Sequence, residues 1–139
     1  MTDQSDALSP DEYVLRRIPD KQDFVSVGIA PSIHRQAFRP TQRDVDGISI
    51  FREAFVTAEQ VAASAPMPYR CYVVRLLVSD IENLGLTVLP DPRENQLPGH
   101  ALIPELSRLR CDITPQLKQI QKKLAKLADD QIVWFPPSP

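Results

Sequence analysis

The sequence predicts a small α+β domain, with a mixed or mainly antiparallel sheet of four to six short strands and about three helices. Three observations lead there. Short apolar runs of β type recur along the chain, and most of them end near a proline. Three sites carry helix-start chemistry: Thr57-Ala58-Glu59-Gln60, Ser79-Asp80-Ile81-Glu82 and Thr114-Pro115. The 14 prolines are spread along the chain and face only 4 glycines, which calls for short elements joined by stiff loops.

Each element follows from local chemistry. Residues 1–12 are polar and read as an N-terminal tail, leaving residues 13–139 as a single domain. Tyr13 to Ile18 is a strand ended by Pro19, and Phe24 to Ile29 is a weaker one. Ala30 to Asp46 is polar, carries Pro31 and Pro40, and reads as a long loop of the kind that is functional or flexible. Ile48 to Phe51 is a strand. The capping box at Thr57 starts a helix over Ala58 to Ser64, stopped by Pro66. Arg70 to Leu77 is the most apolar run and predicts a central strand covered on both faces.

The box at Ser79 predicts a short helix closed by Gly85. Leu86 to Leu89 and His100 to Ile103 are strands, separated by a polar loop from Asp91 to Pro98. Thr114 caps a longer helix with Pro115 at its first position. Leu117, Ile120, Leu124 and Leu127 line one side of it, and Lys118, Lys122, Lys123 and Lys126 the other. Asp129 and Asp130 oppose the helix dipole and mark its end. Ile132 to Phe135 is a last extended run.

Composition excludes several function classes. Lys and Arg number 16 and Asp and Glu 18, a net charge of −2, so no global field draws the chain to nucleic acid or an anionic surface. The lysine face of the last helix, with Arg108 and Arg110 upstream, is the one local basic region. It has no aromatic residue interleaved for base stacking, so nucleic acid is not the expected partner. No apolar run approaches a membrane span. Cys71 and Cys111 have no CxxC partner, which argues against a structural zinc site, although a disulfide between them stays open. No signal peptide is present, and the cytoplasm is the expected compartment. No cofactor is expected: the glycine patterns of nucleotide-binding loops are absent.

The candidate functional residues each have a bland alternative. His100 follows a Pro-Gly turn and can act as a general acid or base; otherwise it is a turn histidine bonded to the loop Asp91-Pro92-Arg93-Glu94. Ser49 is a candidate nucleophile without a G-x-S-x-G elbow. Arg39 and Arg43 can grip a carboxylate or phosphate beside Asp46; otherwise they belong to a solvated loop with Asp44. His34 could join His100 only if the long loop folded over it, and no metal-ligand spacing accompanies the pair, so no metal is expected. Cys111, beside Arg110, is the more plausible reactive thiol. Trp134 and Phe135 either anchor the C-terminus or offer a docking edge.

Several segments taken in order carry a resemblance. They are Val14-Leu15-Arg16-Arg17-Ile18, Ala37-Phe38-Arg39-Pro40, Asp46-Gly47-Ile48-Ser49-Ile50, Gly85-Leu86-Thr87-Val88, Asp91-Pro92, Gly99-His100-Ala101-Leu102-Ile103 and Trp134-Phe135-Pro136-Pro137. The set resembles a family of small, uncharacterised bacterial single-domain proteins, which implies a stand-alone domain and no particular activity. A fainter likeness is to ADP-ribosyltransferase-like toxins, in which a basic residue, a serine and a glutamate on successive elements bind NAD; Arg17, Ser49 and Glu105 occur here in that order. The expectation is a protein-interaction module, working with a protein partner or as a homo-oligomer, and leaning away from catalysis. The alternative is a small transferase or hydrolase on a nucleotide-like substrate, using His100, Ser49, Glu105 and Arg39 or Arg43. That alternative requires His100 and Ser49 to share one face.

Overall fold

The computed structural model describes residues 3–28, 30–41, 43–65, 70–107 and 114–137. Eight strands and three α-helices follow one another along them. In order they are β1 (Tyr13–Pro19), β2 (Val25–Ser26), β3 (Ser32–Ile33), β4 (Ile48–Arg52), α1 (Ala58–Ala63), β5 (Cys71–Leu77), α2 (Val78–Asn83), β6 (Leu89–Pro90), β7 (His100–Ile103), α3 (Pro115–Asp129) and β8 (Ile132–Trp134). Six strands form one antiparallel sheet in the order β6-β7-β4-β1-β5-β8, and β2 pairs with β3 apart from it. The protein is therefore an α+β domain. No helix among the described residues is long and apolar enough to cross a membrane.

Strand alternation sorts side chains to two faces. Val14, Ile18, Ile48, Ile50, Val74 and Ile103 bury one face against Leu124, Ala125 and Ala128 of α3. Leu15, Phe51, Cys71 and Val73 bury the other against Val61 and Ala62 of α1. β5 contributes to both clusters, as its continuous apolar run predicts. α1 begins with the predicted capping box: Thr57 Oγ1 accepts from the Gln60 amide at 3.1 Å, and Gln60 Oε1 accepts from the Thr57 amide at 2.9 Å. Thr114 caps α3 in the same way, accepting from the Leu117 amide at 3.1 Å.

Four expectations need correction. The stretch from Ala30 to Asp46 is not one loop. It holds β3 and a 3-10 turn over Arg35–Phe38, and it buries Ile33, Ala37 and Phe38 in the α3-side core. Gln121 of α3 secures that turn, donating to the Phe38 carbonyl at 3.3 Å and accepting from Arg35 at 3.3 Å. The second strand is confined to Val25–Ser26, and the run at Leu86 shrinks to Leu89–Pro90; Leu86 and Val88 still pack into the core, without a ladder.

The capping box at Ser79 does not form. α2 starts at Val78, directly from β5, with Leu77 at its N-cap and no side-chain cap. Its first amides are met from a distance: Val78 donates to the Glu12 carbonyl at 2.9 Å and Ser79 to the Pro10 carbonyl at 3.0 Å. Its end is as predicted, with Gly85 past the last turn at φ +85°.

Residues 3–12 contain no regular element, yet they are bound to the sheet through Arg52. This arginine is 0% exposed. It pairs with Glu12 through two bonds, Nε to Oε1 at 2.6 Å and Nη2 to Oε2 at 2.9 Å. Its Nη1 donates to the carbonyls of Asp6 at 2.7 Å and Gln4 at 3.2 Å, and its guanidinium lies 5.2 Å from the centre of the Phe55 ring. Gln4 in turn accepts from the Gly99 amide at 3.0 Å, next to His100.

Candidate functional site

β4 and β7 carry the site. Alternation in β4 places Ser49 and Phe51 on the face that α1 covers. In the antiparallel pair, Phe51 stands opposite His100 and Ser49 opposite Leu102. His100 and Ser49 are thus diagonal neighbours on one face, within reach for a long side chain. His100 Nε2 lies 2.9 Å from Ser49 Oγ. The imidazole is 1% exposed and meets the Phe51 ring edge-on, with centroids 5.5 Å apart. Ser49 itself is half-buried.

The other ring nitrogen faces Asp91, just past β6. Nδ1 lies 2.9 Å from the Asp91 carbonyl and 3.0 Å from its carboxylate Oδ2. The Asp91 amide donates back to the His100 carbonyl at 2.9 Å. A carbonyl can only accept, so Nδ1 carries the proton and Nε2 accepts from the Ser49 hydroxyl. The carboxylate contact has ion-pair distance rather than hydrogen-bond alignment, so Asp91 acts on the ring mainly by charge. Arg93 holds that carboxylate, with Nε 2.5 Å from Oδ2, and reaches toward Asp46 at 3.7 Å. A continuous chain runs Ser49, His100, Asp91, Arg93, Asp46.

The backbone beneath Ser49 is fixed from the opposite face. The β1–β4 ladder is paired at Val14–Arg52 and Leu15–Phe51, and Arg16 fills the space beyond it. Its Nη1 donates to the Ser49 carbonyl at 2.8 Å, and Nε and Nη2 donate to the Ala37 carbonyl at 3.1 and 2.9 Å. Arg16 keeps some exposed surface, but its guanidinium is enclosed, and burial pulls its pKa down to about 10. It stays charged at neutral pH. Gly47 sets where β4 begins. It has φ +145°, and a Cβ there would sit 2.6 Å from the Ile103 carbonyl oxygen at the end of β7.

The structure brings together some sequence candidates and separates others. His100 and Ser49 are in direct contact, and Asp46 joins them through Arg93. Glu105 lies in a 3-10 turn after β7, and its carboxylate accepts from both the amide and the hydroxyl of Thr87. Arg17 is on the α1-side face of β1 and donates to Ser64 Oγ at 2.8 Å. Arg17, Ser49 and Glu105 therefore have different partners, and the toxin-like trio does not form one bonded cluster. Arg39 and Arg43 are exposed. Asp44 binds Thr41, through its amide at 2.7 Å and its hydroxyl at 2.9 Å, rather than either arginine.

The two histidines do not pair. His34 lies beside α3, bonded to Ser26 Oγ at 2.5 Å, with the sheet between it and His100. Among the described residues no three His, Cys, Asp or Glu side chains converge as a metal site. Trp134 is half-buried against the α1-side cluster, while Phe135 is 54% exposed and edge-on to Tyr72 at 6.1 Å. Arg108, Arg110 and Cys111 lie outside the described residues.

Sequence reasoning missed Asp91 as a site residue and saw it only as a turn partner of His100. Its signal was faint: an acid placed where a short strand hands over to a polar loop. Compared with family models, curated proteins and solved structures, the chain matches none.

Proposed function

We propose that this chain is a small serine enzyme that hydrolyses or transfers an acyl group, with Ser49 as nucleophile, His100 as general base and Asp91 as the charge behind it. The observation that carries the reading is the placement of His100 between the Asp91 carbonyl and the Ser49 hydroxyl, each 2.9 Å from a ring nitrogen. With Nδ1–H held by the Asp91 carbonyl, Nε2 is free to take the Ser49 proton at 2.9 Å. On attack, the Ser49 proton passes to Nε2 as the oxygen bonds to the substrate carbon. His100 then gives that proton to the leaving group as its bond breaks. A water repeats the two steps, releasing the acid and restoring the serine. Asp91 stabilises the imidazolium between them.

The reading departs from an elbow-type enzyme, because Ser49 sits in a strand rather than a strained turn. A fluorophosphonate probe tests it. Wild-type protein gains one adduct mass, on Ser49. Ser49→Ala abolishes it, and His100→Gln slows it about 100-fold or more. Absence of an adduct on folded wild-type protein, or labelling indifferent to His100, overturns the reading.

A second reading, an interaction module, is favoured by the edge strand β8. Val133 in it and Phe135 just past it are 42% and 54% exposed, beside an edge that pairs with no strand among the described residues. On this reading a protein partner or a second copy adds along β8. Light scattering of wild type and Phe135→Ser tests for self-association. Cys71 is a free, buried thiol, which supports a reducing, cytoplasmic setting.

A further inference from the structure

Arg17 is a charge that the described residues leave unbalanced. It is half-buried on the α1-side face of β1, and its one hydrogen bond to a described residue goes to Ser64 Oγ. A guanidinium has five donors. Among the described residues no carboxylate forms an ion pair with it. The charge-bearing group nearest enough to influence it is the Cys71 thiol, and burial pushes that thiol's pKa up, so it is neutral and offers no compensation. A partly desolvated cation without a counter-charge is costly to keep.

Arg17 lines a cavity of about 280 Å³. Residues at the end of β1, in the turn after it, just past α1 and at the start of β5 line it. Lys21 and Arg70 stand at its rim, both exposed, while Pro19, Ala65 and Cys71 give it apolar walls. Asp20 is the one acid among the described lining residues; burial first, and the Asp20 charge after it, raise the pKa of Cys71 and Tyr72. None of these three cations makes an ion pair with Asp20 among the described residues. Three positive charges against one negative leave an excess that the described residues do not balance.

We infer that this cavity binds a compact oxyanion, carboxylate or phosphate, carried on a small apolar body. Arg17 takes the anion from within through its fork of N–H donors, Lys21 and Arg70 meet it from the rim, and the body rests on Pro19, Ala65 and Cys71. The volume is near the lower end of small-molecule sites, which suits a ligand of few heavy atoms. This inference does not depend on catalysis at Ser49.

The test is a titration of the full chain followed by amide and arginine Nε–H resonances, at constant ionic strength. The probes are inorganic phosphate and butyrate, with chloride as the control. Saturable shifts are expected at Arg17 Nε–H and at residues 19–21, 65 and 70–71. Saturation by phosphate or by butyrate identifies which oxyanion the cavity prefers. Arg17→Gln weakens binding about tenfold or more. Arg70→Gln, at an exposed position that leaves the core intact, weakens it in the same direction, and Lys118→Gln, an exposed cation of α3 outside the cavity, leaves it unchanged. Shifts no greater than those with chloride, or binding equal in Arg70→Gln and Lys118→Gln, overturn the inference.

Discussion

Glu12→Gln should unfasten the N-terminal segment from the sheet. The substitution keeps the side chain's size and removes only its charge. Arg52, 0% exposed in the native fold, then loses its counter-charge and keeps only the neutral acceptors at Gln4 and Asp6 and the Phe55 ring, so it regains water as the segment lifts away. Removing one partner from a buried ion pair costs about 3–5 kcal/mol. Glu12 keeps 12% exposure, so water can partly replace it and the lower figure applies.

Unfolding entropies of about 2.1 cal/mol/K per residue convert ~3 kcal/mol into a fall of about 10 °C in Tm for a chain of 139 residues. Differential scanning calorimetry measures that directly. Hydrogen exchange adds a local readout, because the Val78 and Ser79 amides lose the carbonyls of Glu12 and Pro10. Pairing the change with Arg52→Met should recover most of the loss, since an apolar replacement removes the stranded charge. A Glu12→Gln protein that melts within about 2 °C of wild type, with protected Val78 and Ser79 amides, would refute the account of the segment as a structural strap.

Other predictions concern single interactions. Gly47→Ala forces a Cβ to 2.6 Å from backbone at Ile103, so it should cost at least ~1–3 kcal/mol in denaturant unfolding, whereas Gly85→Ala meets nothing within 4 Å and should cost only its backbone strain, about 1 kcal/mol. Thr57→Ala removes the α1 capping box and should lower stability by about 1 kcal/mol, with m unchanged. Burial raises the Cys71 pKa in the fold, so the unfolded chain ionises first. The stabilisation is complete below the free thiol's range and declines as pH rises through it toward the folded value. In a Cys111→Ser background, urea stability should fall from pH 8 to pH 9.5, and Cys71→Ala should flatten that slope.

What was legible in the sequence was local. The α1 cap lies within four residues, and Thr57 and Gln60 meet as their spacing demands. β1, β4, β5 and β7 announced themselves as apolar runs. What was hidden depends on partners far along the chain. Ser79 had the right neighbours for a cap, but carbonyls of residues 10 and 12 had already met the amides. Ile33, Ala37 and Phe38 are too few to set up a periodic pattern, so a core-forming segment read as a loop. Arg52 reads as a solvated charge after a strand, and only the fold supplies Glu12, 40 residues earlier.

The site was divided in the same way. His100 and Ser49 stood out by residue type, but their contact spans 51 residues and depends on the β4–β7 register. A one-residue slip in that pairing would place the two on opposite faces. Asp91 is reached through the β6–β7 pairing, which covers only two residues and leaves little trace in the sequence. Arg16 supports Ser49 where a ladder ends, a position that sequence periodicity does not mark.

The central claim is that His100 activates Ser49, and the most direct measurement is the rate of fluorophosphonate labelling by intact-mass spectrometry. Wild type, Ser49→Ala, His100→Gln and Asp91→Asn are compared, each first shown to melt cooperatively. The account predicts one adduct on wild-type Ser49, none on Ser49→Ala, and labelling slowed about 100-fold or more without the imidazole. Asp91→Asn should fall between wild type and His100→Gln, because the Asp91 carbonyl that sets the tautomer remains. Folded wild-type protein that takes no adduct, or labels at the same rate without His100, would contradict it.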